Sequence, residues 1–150
     1  MILIVGAIGR VGREVALQLS TRGEPACALV RNPANAHLPA SLEIIPGDLT
    51  SPPAFPPSDA VFLVWTAPFS AFPAFLDTVA PTTRHIVFLS APFKTPHPFF
   101  QQPNPLRDAT IDLERRIAAS GLSWTFLRPS MFAANALHFG SDLLGTSAVL

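Results

Sequence analysis

The sequence predicts an α/β fold: a doubly wound parallel sheet of about six strands with helices on both faces, in one domain over residues 1–150. Three observations carry this. Short β-rich apolar runs alternate with stretches of helical period. Two of the runs, Ala60–Thr66 (AVFLVWT) and His85–Ser90 (HIVFLS), are apolar almost throughout, as strands buried on both sheet faces are. A glycine triplet marks the turn from the first strand into the first helix.

Taken in order, Ile2–Val5 is a strand that ends at Gly6. From Val11 onward, Val15, Ala16 and Leu19 recur at helical spacing, and Gly23 closes that helix. Ala26–Arg31 and Leu42–Pro46 are the second and third strands, the latter followed by Gly47-Asp48. Ala60–Thr66 and His85–Ser90 are the fourth and fifth, with a helix over Phe69–Val79 between them that Pro73 blemishes. Leu106–Ser120 is an amphipathic helix, with Ile111, Leu113 and Ile117 inward and Arg107, Asp112, Arg115 and Arg116 outward. Trp124–Arg128 is a sixth strand, and Met131–Phe139 starts another helix. Right-handed crossovers then give the strand order 3-2-1-4-5-6, with a ligand at the switch point beside strand one. The proline clusters Pro46–Pro57 and Pro92–Pro105 fall between elements and read as loops.

Composition narrows the function classes. The chain is 49% hydrophobic, 13% charged and formally neutral, with Lys94 its only lysine, so it lacks the clustered basic excess of a nucleic-acid binder. The uncharged segment Ala60–Leu76 is short for a membrane span and is broken by Pro68 and Pro73. No secretory leader is visible, and the single Cys27 lies in an apolar run, so a buried, inert thiol in a cytoplasmic protein is expected. No pair of histidines has metal-ligand spacing, so no metal is expected.

The loop Val5-Gly6-Ala7-Ile8-Gly9-Arg10-Val11-Gly12 has G-x-x-G-x-x-G spacing. Gly6 permits the tight turn, Gly9 a close approach of backbone to a pyrophosphate, and Gly12 the packing of helix on sheet. Backbone N–H groups at the helix start then meet the phosphates. Because the loop follows a strand, opens a helix and leads to a second strand, it marks a Rossmann-type dinucleotide site. No Gly-Lys-Ser/Thr follows, which excludes a P-loop.

The end of strand two selects the cofactor. An NAD site places an acid there for the ribose hydroxyls, yet this chain has Arg31-Asn32 and no acid between Ala26 and Leu42. A guanidinium pairs with a 2′-phosphate, and Arg10 is a second candidate for that clamp, so NADP(H) is expected over NAD(H). Asp48-Leu49, past strand three, either flank the adenine or, through Asp48, cap their own turn.

The chain has no tyrosine, so the Tyr-x-x-x-Lys pair of ordinary short-chain dehydrogenases is absent, and with it the usual proton donor. Ser90 ends strand five facing the expected nicotinamide site and Thr110 lies on the following helix, where both also read as ordinary structural hydroxyls.

The opening ILIVGAIGRVGREVALQL, the later ALVRNP, GDL and AVFLVWTAP, and above all the block Glu114–Asn135 containing SGLSWTFLRPS resemble the NmrA-like family of atypical short-chain dehydrogenases/reductases. The resemblance implies a Rossmann-type fold that binds NADP(H) without the Tyr-Lys pair. It implies that Gly6, Ile8, Gly9, Arg10 and Val11 line the pyrophosphate, that Arg31 meets the 2′-phosphate, and that Trp65, Thr66, Ala67 and Ser90 run along the ribose and nicotinamide. Pro129, Ser130 and Phe132 would approach nicotinamide and substrate. The chain departs from the family pattern at Ile8, where Thr or Ser is usual, and at Thr110, where Lys or His is common. It also stops well short of the family's usual length, which implies a shortened member or a fragment. The expected function is hydride transfer to a small-molecule acceptor: a quinone, a flavin or a carbonyl-type compound. The alternative is a non-catalytic NADP(H) sensor acting through a protein partner, or a chain completed by pairing with another copy, with Phe99, Phe100 and Phe132 at the interface.

Overall fold

The computed structural model describes residues 1–91 and 105–129. The expected helix Met131–Phe139, the tail from Gly140, and Lys94, His97, Phe99, Phe100, Ser130 and Phe132 lie outside the described residues.

The chain runs β1 (Ile2–Val5), α1 (Arg10–Thr21), β2 (Ala26–Val30), β3 (Glu43–Pro46), β4 (Ser58–Leu63), α2 (Phe72–Val79), β5 (Thr83–Leu89), α3 (Pro105–Ala119) and β6 (Ser123–Leu127). The six strands form one parallel sheet in the order β3-β2-β1-β4-β5-β6, as the β-α-β alternation predicts. The order reverses at β1, whose Val5 lies opposite Leu29 of β2 on one side and Leu63 of β4 on the other.

Alternate residues of each central strand feed two cores. Leu3, Val5, Val61, Leu63, Ile86 and Phe88 join Phe72, Phe75 and Val79 of α2 and Leu113 and Ile117 of α3 on one face. Ile4, Ala28, Val30 and Phe62 pack with Ala16 of α1 on the other. Phe72 and Phe75 are fully buried, each contributing about 2–3 kcal/mol of transfer free energy. The free thiol of Cys27 is buried in the α2/α3 core, and that burial pushes its pKa up from 9.0 to about 11, so it is a protonated core residue at neutral pH.

Local chemistry sets the element ends. α1 closes as Gly23 N–H donates to Ser20 O and Glu24 N–H to Leu19 O, the paired bonds of a Schellman cap. Pro73 is no blemish on α2, since it occupies the first turn, where its missing N–H has no intrahelical partner to lose. β4 starts earlier than the apolar run suggests, because Ser58 pairs with Thr83 of β5, and stops earlier, because its last pair with β1 is Val5–Leu63. The inward stripe of α3 is Thr110, Leu113, Glu114 and Ile117; Glu114 takes the place expected for Ile111, which is only partly buried.

Candidate functional site

The C-terminal ends of β1, β2 and β4 open onto a cleft lined by Gly6, Ile8, Val30, Arg31, Asp48, Leu49, Thr50, Thr66, Ala67 and Pro68, with Val5, Leu29 and Gly47 beneath. Its position follows from the topology: the chain leaves β1 in one direction and β4 in the other, and the gap between them is the switch point.

The glycine loop forms one wall. Gly6 has φ +84°, and a Cβ there would come 2.8 Å from the Val64 Cβ. A Cβ on Gly12 would lie 2.1 Å from the Gly6 carbonyl oxygen, a backbone atom that cannot move aside. Hydrogen at both positions lets α1 start directly against the end of β1. Gly9 is the N-cap, and no side chain caps the helix there; its carbonyl accepts from Arg13 N–H at 2.8 Å. The first turn carries no acidic residue, so nothing on that turn repels an approaching anion. Ile8 is half exposed at the cleft mouth, supplying apolar surface where the family pattern has a hydroxyl.

The opposite wall joins the ends of β2 and β3. Their parallel register sets Val30 beside Pro46, so Arg31 emerges next to Gly47 and Asp48. Asp48 Oδ1 accepts from Thr50 N–H at 2.8 Å and Thr50 Oγ1–H at 2.7 Å, while Oδ2 lies 3.8 Å from Arg31 Nε. The Thr50 hydroxyl bond, then its backbone bond, hold the Asp48 carboxyl below the usual carboxylate range. Of the two roles expected for Asp48, the turn cap is present in this geometry. The stretch from Ala26 to Leu42 carries no acid, yet the fold brings one to Arg31 from the turn after β3.

At the end of β4 the structure departs from expectation. Trp65 turns into the α2 core, where its ring stands edge-on to Phe72 at 4.9 Å and tilted to Phe75 at 5.4 Å, with its indole N–H buried and without a hydrogen-bond partner. Thr66 and Ala67, not Trp65, line the cleft. In the first turn of α1, Arg10 is exposed, Val11 is half-buried against the core on that face and Gly12 is buried; these three and Gly9 lie outside the cleft lining.

Ser90 follows β5 and is buried; its hydroxyl donates to Glu114 Oε1 of α3. Arg128, just past β6, donates Nε to the same Oε1 at 2.9 Å and Nη2 to Oε2. This fork on a carboxylate that is 5% exposed raises the Arg128 pKa above its ordinary value, through the hydrogen bonds to Glu114, and ties β5, α3 and β6 together. Ser90 is therefore engaged in a structural network, and Thr110 donates back to the Leu106 carbonyl within α3. Pro129, half-buried, follows that network directly.

Two contributors escape sequence reasoning. Arg13 donates Nη1 to the His37 carbonyl at 3.1 Å and Nη2 to the Ala36 carbonyl at 3.3 Å, fastening the β2–β3 connection to α1. Thr50 fixes Asp48, and its position two residues on is the sequence signal of such a turn. Among the described residues no helix is long and apolar enough to cross a membrane.

Comparison with known proteins bears directly on this cleft. Residues 6–143 match the family model described as NAD(P)H-binding. The chain is 31% identical over 156 residues to (4-alkanoyl-5-oxo-2,5-dihydrofuran-3-yl)methyl phosphate reductase of Streptomyces griseus, covering 99% of this chain and 54% of that protein. It is 32% identical over 153 residues to the NAD(P)H azoreductase of Xenophilus azovorans, covering 95% and 52%. A third relative, Photosystem II assembly factor Ycf39 of Trieres chinensis, is 28% identical over 149 residues, covering 87% and 46%. The chain thus spans about half the length of the curated relatives it matches. Among solved structures, the Citrobacter sp. triphenylmethane reductase complexed with NADP(H) superposes with TM-score 0.71 at 18% identity, over 94% of this chain and 53% of that one. MoeE5 in complex with UDP-glucose and NAD gives 0.67 at 22%, over 85% and 53%. At these identities the likeness shows the fold.

Proposed function

Because the chain belongs to the NAD(P)H-binding family of NmrA-like, atypical short-chain dehydrogenases/reductases, we propose that it is an NADP(H)-dependent reductase passing hydride to a quinone, a flavin or a small carbonyl-type acceptor. The observation that carries this reading is one cleft at the switch point that brings Gly6 and Ile8 of the glycine loop together with Arg31, while the uncapped start of α1 directly follows that loop.

The residues present fit a dinucleotide. The N–H groups of the first turn of α1 would bind the pyrophosphate, aided by the positive end of the helix dipole. Arg31, with 76% of its side chain exposed, would receive the 2′-phosphate through its Nη groups. Leu49 and Ile8 would hold the adenine and ribose between apolar surfaces, and Thr66 and Ala67 would continue along the second ribose toward the nicotinamide. The nicotinamide supplies the hydride. With no tyrosine in the chain, catalysis would rest on orientation of the acceptor against the nicotinamide, and the proton that accompanies the hydride would come from water or from a partner. The two reductases among the relatives support the reading, one of them named for NAD(P)H.

Calorimetric titration with NADPH and NADH tests binding, followed by a quinone, flavin and azo-dye panel with cofactor absorbance as readout. Arg31→Asp should reverse the cofactor preference; an unchanged NADPH affinity overturns the clamp. Binding without turnover across the panel favours the second reading, a cofactor-occupancy sensor acting through a protein partner. The missing tyrosine and the assembly factor among the relatives support that alternative.

A further inference from the structure

We infer that Asp48 is a specificity-determining residue that opposes Arg31, holding the cleft short of full selectivity for a 2′-phosphorylated dinucleotide. The inference rests on the proposed dinucleotide site and goes beyond it.

Two hydrogen bonds orient Asp48 toward Arg31. Its Oδ1 is occupied by two donors from Thr50, at 2.8 and 2.7 Å, which orient the carboxylate and leave Oδ2 facing the guanidinium. The 3.8 Å separation from Nε is too long for a hydrogen bond, so the contact is coulombic and leaves the Nη groups uncommitted to Asp48. Both residues line the same cleft.

A phosphate seated on Arg31 would therefore lie near a fixed carboxylate. The guanidinium attracts it and the carboxylate repels it, in partly exposed surroundings where each effect is modest and salt-sensitive. A dinucleotide with a free 2′-hydroxyl meets no such conflict, because a carboxylate accepts from a hydroxyl. One turn thus serves both cofactors: Arg31 favours the phosphate and Asp48 favours its absence. The register that sets Val30 beside Pro46 makes this opposition a property of the sheet.

The test is calorimetric affinity for NADPH, NADH, 2′,5′-ADP and 5′-AMP, measured on the parent chain and on Asp48→Asn. The amide keeps an oxygen for the two Thr50 donors and removes only the charge. Affinity for NADPH and 2′,5′-ADP should rise about tenfold, equivalent to about 1.4 kcal/mol. Affinity for NADH and 5′-AMP should stay the same or fall. The same gain should persist in an Arg31→Gln background, where repulsion stands alone, and Asp48→Ser should move in the same direction. If both dinucleotides bind the parent and their ratio is unchanged in every Asp48 variant, this inference is overturned while the cofactor reading stands. If neither binds the parent, both are overturned.

Discussion

Two arginine–carboxylate pairs, Arg128–Glu114 and Arg31–Asp48, stand just past strand ends at the same end of the sheet, and they are built in opposite ways. On the β5–α3–β6 side, Glu114 is 5% exposed and takes a fork of bonds from Arg128 with a third from Ser90. On the β2–β3 side, Arg31 and Asp48 stand 3.8 Å apart with side chains 76% and 40% exposed. A buried carboxylate has lost its water and depends on its partners, so the first pair fastens elements together. An exposed pair keeps its hydration and is readily re-partnered, so the second can exchange with a ligand. On the proposed reading, the contrast in carboxylate burial separates scaffold from site.

The largest expected effect tests the scaffold side. Arg128→Met strands the Glu114 charge and should lower unfolding free energy by about 2–3 kcal/mol in urea denaturation, somewhat below the cost for a fully buried pair because Arg128 is 44% exposed. Adding Glu114→Leu should recover most of that loss. Equal stability of Arg128→Met and parent would erase the distinction between the two pairs. Next comes Arg31→Gln, which should leave the urea midpoint unchanged yet weaken NADPH binding about tenfold or more, as removal of a charged hydrogen-bonding partner does. A matching fall in stability would assign Arg31 to the scaffold.

The smallest effect is a pH dependence at Asp48. Its carboxyl titrates below 3.8 in the folded chain, so the unfolded chain takes up the proton first as pH falls. Its contribution is therefore present above 3.8 and lost as pH falls through the lower folded value. The difference in melting temperature between parent and Asp48→Asn should shrink over that range and be flat above it.

Much of the fold was legible because periodicity and glycine placement are local. The strand order followed from alternation, and the start of α1 from Gly6, Gly9 and Gly12. What escaped was non-local. Asp48 is 17 positions beyond Arg31 in sequence and reaches it only through the β2–β3 register, so the residues along β2 carry no sign of their contact. Trp65 reads as strand in AVFLVWT, yet β4 lasts only as long as β1 pairs with it, and the next large ring drops toward Phe72 and Phe75. Glu114 lies on the 110-113-114-117 stripe of α3, and its satisfaction by Arg128 required β6 to be in place. The cleft's glycine wall was therefore predictable, and its charged wall was a product of sheet assembly.

The divided aromatic content has an optical consequence. Trp65 lies in the α2 core with its indole N–H shielded from water, whereas Trp124 is 47% exposed on β6, stacked on Phe126 at 4.2 Å. The two indoles differ in solvent contact, so a collisional quencher such as iodide silences Trp124 first and leaves a bluer emission from Trp65. Trp65 immediately precedes Thr66 and Ala67 of the cleft wall, and Trp124 sits on the strand that ends at Arg128. The chain thus carries two native fluorophores, one reporting on each of the regions contrasted above.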